Sequence, residues 1–130
     1  MSNKLKALLA LTLLGASTLA VAAAADLADD MDTIAGNYKK VLSTDSTDTL
    51  KQSLQNMRAA AVDAKQSKPP KMEDKANDSP EIKDFHHGLD TLIGQIDHSL
   101  ALANQGKLAE AKQVAQGFKQ TRDTNHKKFR

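Results

Sequence analysis

The chain has 130 residues, with 18 basic and 16 acidic side chains, no cysteine, no tryptophan, one tyrosine and three phenylalanines. This composition excludes a disulfide framework and cysteine-ligated zinc or iron–sulfur sites. The charges are interspersed, with no basic run beyond Lys127-Lys128, which argues against a nucleic-acid-binding surface.

The N-terminal segment reads as an export signal. Lys4 and Lys6 form a short basic start, the apolar run Ala7–Leu14 follows, and Leu19–Ala25 offers small residues to a signal peptidase. The apolar run falls short of the roughly 20 strongly apolar residues that a membrane anchor needs. The expected cut follows Ala24, giving residues 1–24 as signal and 25–130 as a single mature domain of 106 residues. Two of the 18 basic residues precede that cut and none of the 16 acidic ones does, so the mature chain carries 16 of each. A surface so nearly neutral supplies no strong field for steering a partner.

From residue 26 onward, apolar residues recur with helical spacing four times and never alternate as in a strand. The first predicted helix, Asp26 to Ser43, carries Leu27, Met31, Ile34, Tyr38 and Val41 on one stripe. Asp26, Asp29 and Asp30 in its first turns suit the positive end of the helix dipole. The polar stretch Thr44–Asp48 ends it and offers N-caps for the second helix, Asp48 to Ser67, whose stripe is Leu50, Leu54, Met57, Ala61 and Ala64. Pro69-Pro70 stops that helix, and the charged segment Lys71–Asp78 reads as a loop containing Met72.

Ser79-Pro80-Glu81 opens the third helix, with serine as N-cap and proline at the first helical position. Its stripe runs Ile82, Phe85, Leu89, Leu92, Ile93, Ile96, Leu100 and Ala103, and Gly106 suits the left-handed position just past the end. The fourth helix follows at once, with Leu108, Ala111, Ala115, Phe118, Arg122, Asn125, His126 and Phe129 on or beside one face. Four amphipathic helices with short connections predict an all-α, up-down-up-down antiparallel four-helix bundle.

In that topology the first helix starts where the fourth ends, so Met31 and His126 sit at similar heights at one pole. A thioether facing an imidazole across an apolar gap is an axial-ligand set for haem iron. Without cysteine there is no Cys-x-x-Cys-His attachment, so such a haem would be held by coordination and packing alone. Each residue also has a plainer reading. Methionine on an apolar stripe fills core gaps, and histidine near a helix C-terminus favours the dipole's negative end. His86 and His87, being adjacent, point about 100° apart and cannot easily share a metal; His86 and His98 read as solvated surface, and His87 as near the same pole with nothing to mark it as an iron ligand.

The chain from Ala25 resembles the soluble periplasmic cytochrome b562 family along its whole length. The resemblance is carried by ADLADDM (Ala25–Met31), MRAAAVDAKQSKPPKMEDK (Met57–Lys75), DSPEIKDFHHGLD (Asp78–Asp90), GQIDHSLALANQGK (Gly94–Lys107) and TRDTNHKKFR (Thr121–Arg130). It implies a four-helix bundle binding one non-covalent haem b, with Met31 and His126 as axial ligands; apolar stripes used up inside the bundle make a monomer the expected state. It also implies electron transfer in the periplasm with redox partners that the sequence does not name, and no catalysis. Leu27, Ile34, Met57, Phe85, Leu89 and Asn125 are then candidate pocket residues, and Arg122 and Arg130 candidate partners for the haem propionates. Asn125 stands where the family pattern has tyrosine, Leu89 replaces a phenylalanine beside the haem face, and Phe129 replaces another tyrosine. This thinning of aromatic packing motivates the alternative of a haem-free periplasmic bundle acting as a binding or stress-related interaction module.

Overall fold

Each of the three longest helices begins on a side-chain oxygen that satisfies amides left free in the first turn. In the computed structural model, which describes residues 26–129, Asp26 starts α1 (Leu27–Ser43), its carboxylate accepting from the Ala28 and Asp29 N–H groups at 2.8 and 3.3 Å. Ser46 starts α2 (Thr47–Ala64), its hydroxyl accepting from Thr49 N–H at 3.2 Å. Ser79 does the same for α3 (Pro80–Asn104) through Ile82 N–H at 3.3 Å, with Pro80 at the first helical position. Such caps contribute about 1 kcal/mol each. The expected signal segment 1–24 and Arg130 lie outside the described residues.

The fourth arm is built from α4 (Leu108–Gln116) and α5 (Phe118–Phe129). Consecutive arms pack side by side and α1 closes against α4, which makes an all-helical four-arm bundle with no strand among the described residues. The turn between α3 and α4 reverses direction through Gly106 at φ +78°, a left-handed conformation that glycine adopts without strain.

The core is aliphatic and small-residue rich. Val41, Leu50, Leu54, Ile96, Ala61, Ala64, Ala111 and Ala115 are fully buried. The alanines let the helices approach closely, and each buried leucine contributes about 1.5–3 kcal/mol. Where α3 meets α4, the buried Ser99 hydroxyl donates to Ala111 O at 2.8 Å.

Three local features depart from the sequence reading. Helix α2 ends at Ala64 rather than Ser67, because residues 65–67 turn on tight backbone bonds back to Val62, Asp63 and Ala64 ahead of the two prolines. Met72 is buried, carried inward by a 3₁₀ turn over Pro70–Met72 inside the connection expected to be a polar loop. The fourth helix is interrupted at Gly117, where the ladder tightens to a Gly117 N–H to Val114 O bond of 3.0 Å. There the buried Tyr38 hydroxyl donates to Ala115 O at 2.8 Å, with the Lys119 N–H facing the phenol oxygen. A side chain from α1 therefore enters the hydrogen-bond ladder of the fourth arm, a recognised cause of helix breaks. Burial pushes the Tyr38 phenol above its ordinary value, against the opposing pull of the Lys119 amide and Arg122. Its ring stacks on Phe118 at 5.7 Å between centroids.

Candidate functional site

The start of α1, the connection after α2, the first half of α3 and the end of α5 converge at one pole of the bundle. Toward the opposite pole α1 packs on α4, as where Tyr38 meets Ala115, but at this pole it scarcely touches α5, so the helices leave a gap. The gap is a cavity of about 1130 Å³, lined by all four regions. Its size is ample for a prosthetic group, since ligand cavities span roughly 300–1,000 Å³.

Its walls are mainly apolar. Leu27, Ile34 and Ala35 come from α1, Phe85, Leu89 and Leu92 from α3, Phe129 from α5, and Pro69 and Pro70 from the connection. Phe85 and Phe129 meet edge to face at 5.4 Å, which ties α5 to α3 at the floor of the pole. Polar side chains also border the cavity, among them Asp26, Asp32, Lys68, Glu73, Arg122 and Asp123.

Met31 and His126 both line this cavity, Met31 from α1 and His126 from α5. Met31 is 38% exposed, which is unusual for a methionine on the stripe that buries Ile34, Tyr38 and Val41. The stripe on α1 is completed instead by Asp30, 4% exposed, so Met31 is turned to the edge facing the gap. As an acid in the first turn of α1, Asp30 suits the helix dipole, but the structure buries it beside Asp63 of α2. The Oδ2 atoms of both carboxyls are buried without a donor. Desolvation, reinforced by Asp63, raises the Asp30 carboxyl from 3.8 to about 7.

Of the other sequence candidates, Leu27, Ile34, Phe85, Leu89, Arg122 and Asn125 line the same cavity. Met57 is 1% exposed and packs in the core, outside the lining. Arg130 lies outside the described residues. The Arg122 guanidinium reaches Asp123 at 3.2 Å and lies 5.9 Å from the Tyr38 ring centre. Donation from Lys119, with Arg122 adding to it, holds the Asp123 carboxyl below its usual range. His86, His87 and His98 join no cluster of three or more metal-ligating side chains among the described residues.

Gly88 and Gly94 interrupt α3 without ending it, and only Gly88 has a close tertiary neighbour: a β-carbon there would collide with the Asn125 side chain. No stripe analysis reveals this contact, because it joins two helices. Its one sequence trace is a glycine inside a strongly helical segment.

A large apolar cavity in a four-arm bundle, with a thioether and an imidazole on its wall and no cysteine in the chain, has the donor chemistry of a non-covalent haem site. The residues fit the group: the walls are apolar, and both soft-to-borderline nitrogen and sulfur donors reach the same space. The fold and site thus define the class of helical-bundle haem proteins.

The comparisons agree. The sequence profile described as Cytochrome b562 matches residues 26–130. The chain is 58% identical over 130 residues, covering the whole of both chains, to a protein of Yersinia pestis named "Probable soluble cytochrome b562 2". It is 44% identical over 107 residues to "Probable soluble cytochrome b562 1" of the same organism, covering 82% of this chain and 84% of that relative. The chain belongs to the cytochrome b562 family, a family of electron carriers that bind haem b non-covalently. No helix among the described residues is long and apolar enough to cross a membrane.

Proposed function

We propose that the chain is a periplasmic electron carrier that holds one haem b in the apolar cavity at this pole of the bundle, with Met31 and His126 as its axial ligands. The observation that carries this reading is the convergence of these two side chains on one apolar cavity from helices at opposite ends of the chain. Residues 1–24 direct export and are removed, leaving a chain that begins at Ala25.

When bound, haem b supplies reversible one-electron exchange between ferric and ferrous iron. His126 offers a neutral imidazole nitrogen, a good donor to either oxidation state. The uncharged thioether of Met31 favours the ferrous form and raises the potential. If Met31 and His126 both held the iron, the protein would leave no free iron position for dioxygen, peroxide or a substrate, and the chemistry supplied would be electron exchange rather than catalysis. Leu27, Ile34, Phe85 and Leu89 exclude water and keep the surroundings of low dielectric constant, which disfavours the more highly charged oxidised centre. Arg122 is available at the cavity to pair with a propionate in exchange for Asp123, and Arg130 is the second candidate for that role.

Absorption spectroscopy of Ala25–Arg130 titrated with hemin, then reduced with dithionite, tests this. The expected result is saturable one-to-one binding with sharp, split visible bands of a six-coordinate low-spin centre. Met31→Ala is expected to give a high-spin, five-coordinate or water-ligated spectrum, and His126→Ala to weaken binding most. Spectra unchanged in both variants would remove the ligand assignment. Absence of hemin binding by the native chain would favour the haem-free interaction module instead. Mass measurement of the chain recovered from the periplasmic fraction checks the cut after Ala24.

A further inference from the structure

The C-terminal half of the fourth arm is weakly anchored. Along the whole of α5, only Phe118 is buried, and it lies at the far end from His126. Around His126 itself, Thr121, Asn125 and Phe129 are half-buried. The Lys128–Asp84 ion pair at 3.1 Å is half-exposed on both sides, and such pairs contribute little. The Phe85–Phe129 contact ties only the last turn of α5 to α3, so a further contact must set the rotation and height of the helix around His126.

We propose that Asn125 is the positioning residue for His126, seated in a notch that Gly88 leaves in α3. This inference rests on the assignment of His126 as an axial ligand. The Asn125 side-chain oxygen occupies the volume that a β-carbon at position 88 would take, and its amide carbon would lie 2.6 Å from that carbon. The same side chain donates through Nδ2 to Thr121 O at 2.8 Å, one turn back along α5. One end of the amide is thus tied to its own helix while the other rests on the neighbouring one. A shift or rotation of α5 would drive Asn125 into the α3 backbone or pull it from the notch. Because His126 is the next residue, the same contact sets the angle at which the imidazole enters the cavity, whose wall includes both Gly88 and Asn125. The glycine has a corresponding cost. Inside a helix it is less favourable than alanine by about 1 kcal/mol, so it is explained by what its missing β-carbon admits.

The test compares native chain, Gly88→Ala, Asn125→Ala and the double variant, each loaded with hemin, alongside His126→Ala. The readouts are the hemin dissociation constant, the low-spin ferric electron paramagnetic resonance g-values, which report imidazole orientation, and the thermal midpoint without haem. Asn125→Ala is expected to raise the dissociation constant about tenfold, in the range for losing a residue that orients a metal ligand. Its g-values should move while the haem-free midpoint changes little. Gly88→Ala, by displacing Asn125, should give a similar loss, and the double variant should bind no more weakly than Asn125→Ala alone.

Unchanged affinity and g-values in Asn125→Ala would overturn the inference, as would losses that multiply in the double variant. If Gly88→Ala fails to fold, Asn125→Ala decides alone, since it adds no volume. A native-like spectrum in His126→Ala would instead overturn the ligand assignment. Loss of that spectrum in His126→Ala, with Asn125→Ala indistinguishable from native, would overturn the positioning role only.

Discussion

The hydroxyl of Tyr38 offers a sharp test of how the fourth arm is held. Tyr38→Phe keeps the ring, its stacking on Phe118 at 5.7 Å and its burial, and removes one oxygen. That oxygen donates to Ala115 O at 2.8 Å and lies within 3.4 Å of Gln116 O, at the point where Gly117 interrupts the helix. Without it, Ala115 O loses a buried donor and the Lys119 amide loses its neighbouring acceptor. Leaving a buried polar backbone group without a partner costs about 1–3 kcal/mol. Partial closure of the break, by re-forming the bond from Lys119 N–H to Ala115 O, would offset part of that. The expected loss is therefore about 1–2 kcal/mol, or a fall in thermal midpoint of about 4–8 °C per kcal/mol for a domain of this size. Urea unfolding of the haem-free mature chain, followed by circular dichroism, measures it. A change under about 0.5 kcal/mol, within the range of neutral surface substitutions, would refute the reasoning and mean that the break is set by Gly117 alone.

Two further predictions concern stability. The folded chain holds a proton on Asp30 more tightly than the unfolded chain, with the carboxyl raised from 3.8 to about 7. The stability from that proton is complete below pH 3.8 and lost as pH rises through about 7, at a slope of up to about 1.4 kcal/mol per pH unit. Asp30→Asn, whose amide donates to Asp63 without titrating, should flatten this dependence in urea unfolding at pH 5 and 7.5; an unchanged slope would show that Asp30 is not its source. Gly106→Ala forces a β-carbon into φ +78° and should cost about 1–2 kcal/mol, read as a lower thermal midpoint, although the turn has open space around it. An unchanged midpoint would mean that the turn relaxes out of the left-handed region.

The family's chemistry and the bundle's geometry meet in the way α1 and α5 diverge. Helices that pack along their full length would bury Met31 as they bury Ile34 and Val41, and nothing could reach it. Because α1 leans on α4 instead, the two donor side chains border a common space and the aliphatic core continues undisturbed beneath it.

Much of this was legible from local rules. Ser79-Pro80 and Gly106 announce helix ends because capping and left-handed turns depend on a few adjacent residues, and both act as read. Apolar stripes revealed the four arms for the same reason, since burial of one face imposes a helical period on the sequence. The dense motifs from Ala25 to Arg130 pointed to the family before any coordinate. The burial of Met72 is not legible in the sequence, because it is produced by a 3₁₀ turn among prolines and charges, where no period exists to read.

By itself, the sequence determined the helical class, the caps, the absence of covalent haem attachment and the chemical identity of the two candidate ligands. Only the tertiary structure decided that Met31 faces a gap while Asp30 turns inward, that Tyr38 enters a helix break 77 residues away, and that Asn125 rests on Gly88. The physical reason is the same in each case. Capping and periodicity are properties of neighbouring residues, whereas rotation of one helix against another is set by the summed packing of side chains remote in the chain. No local pattern encodes that sum.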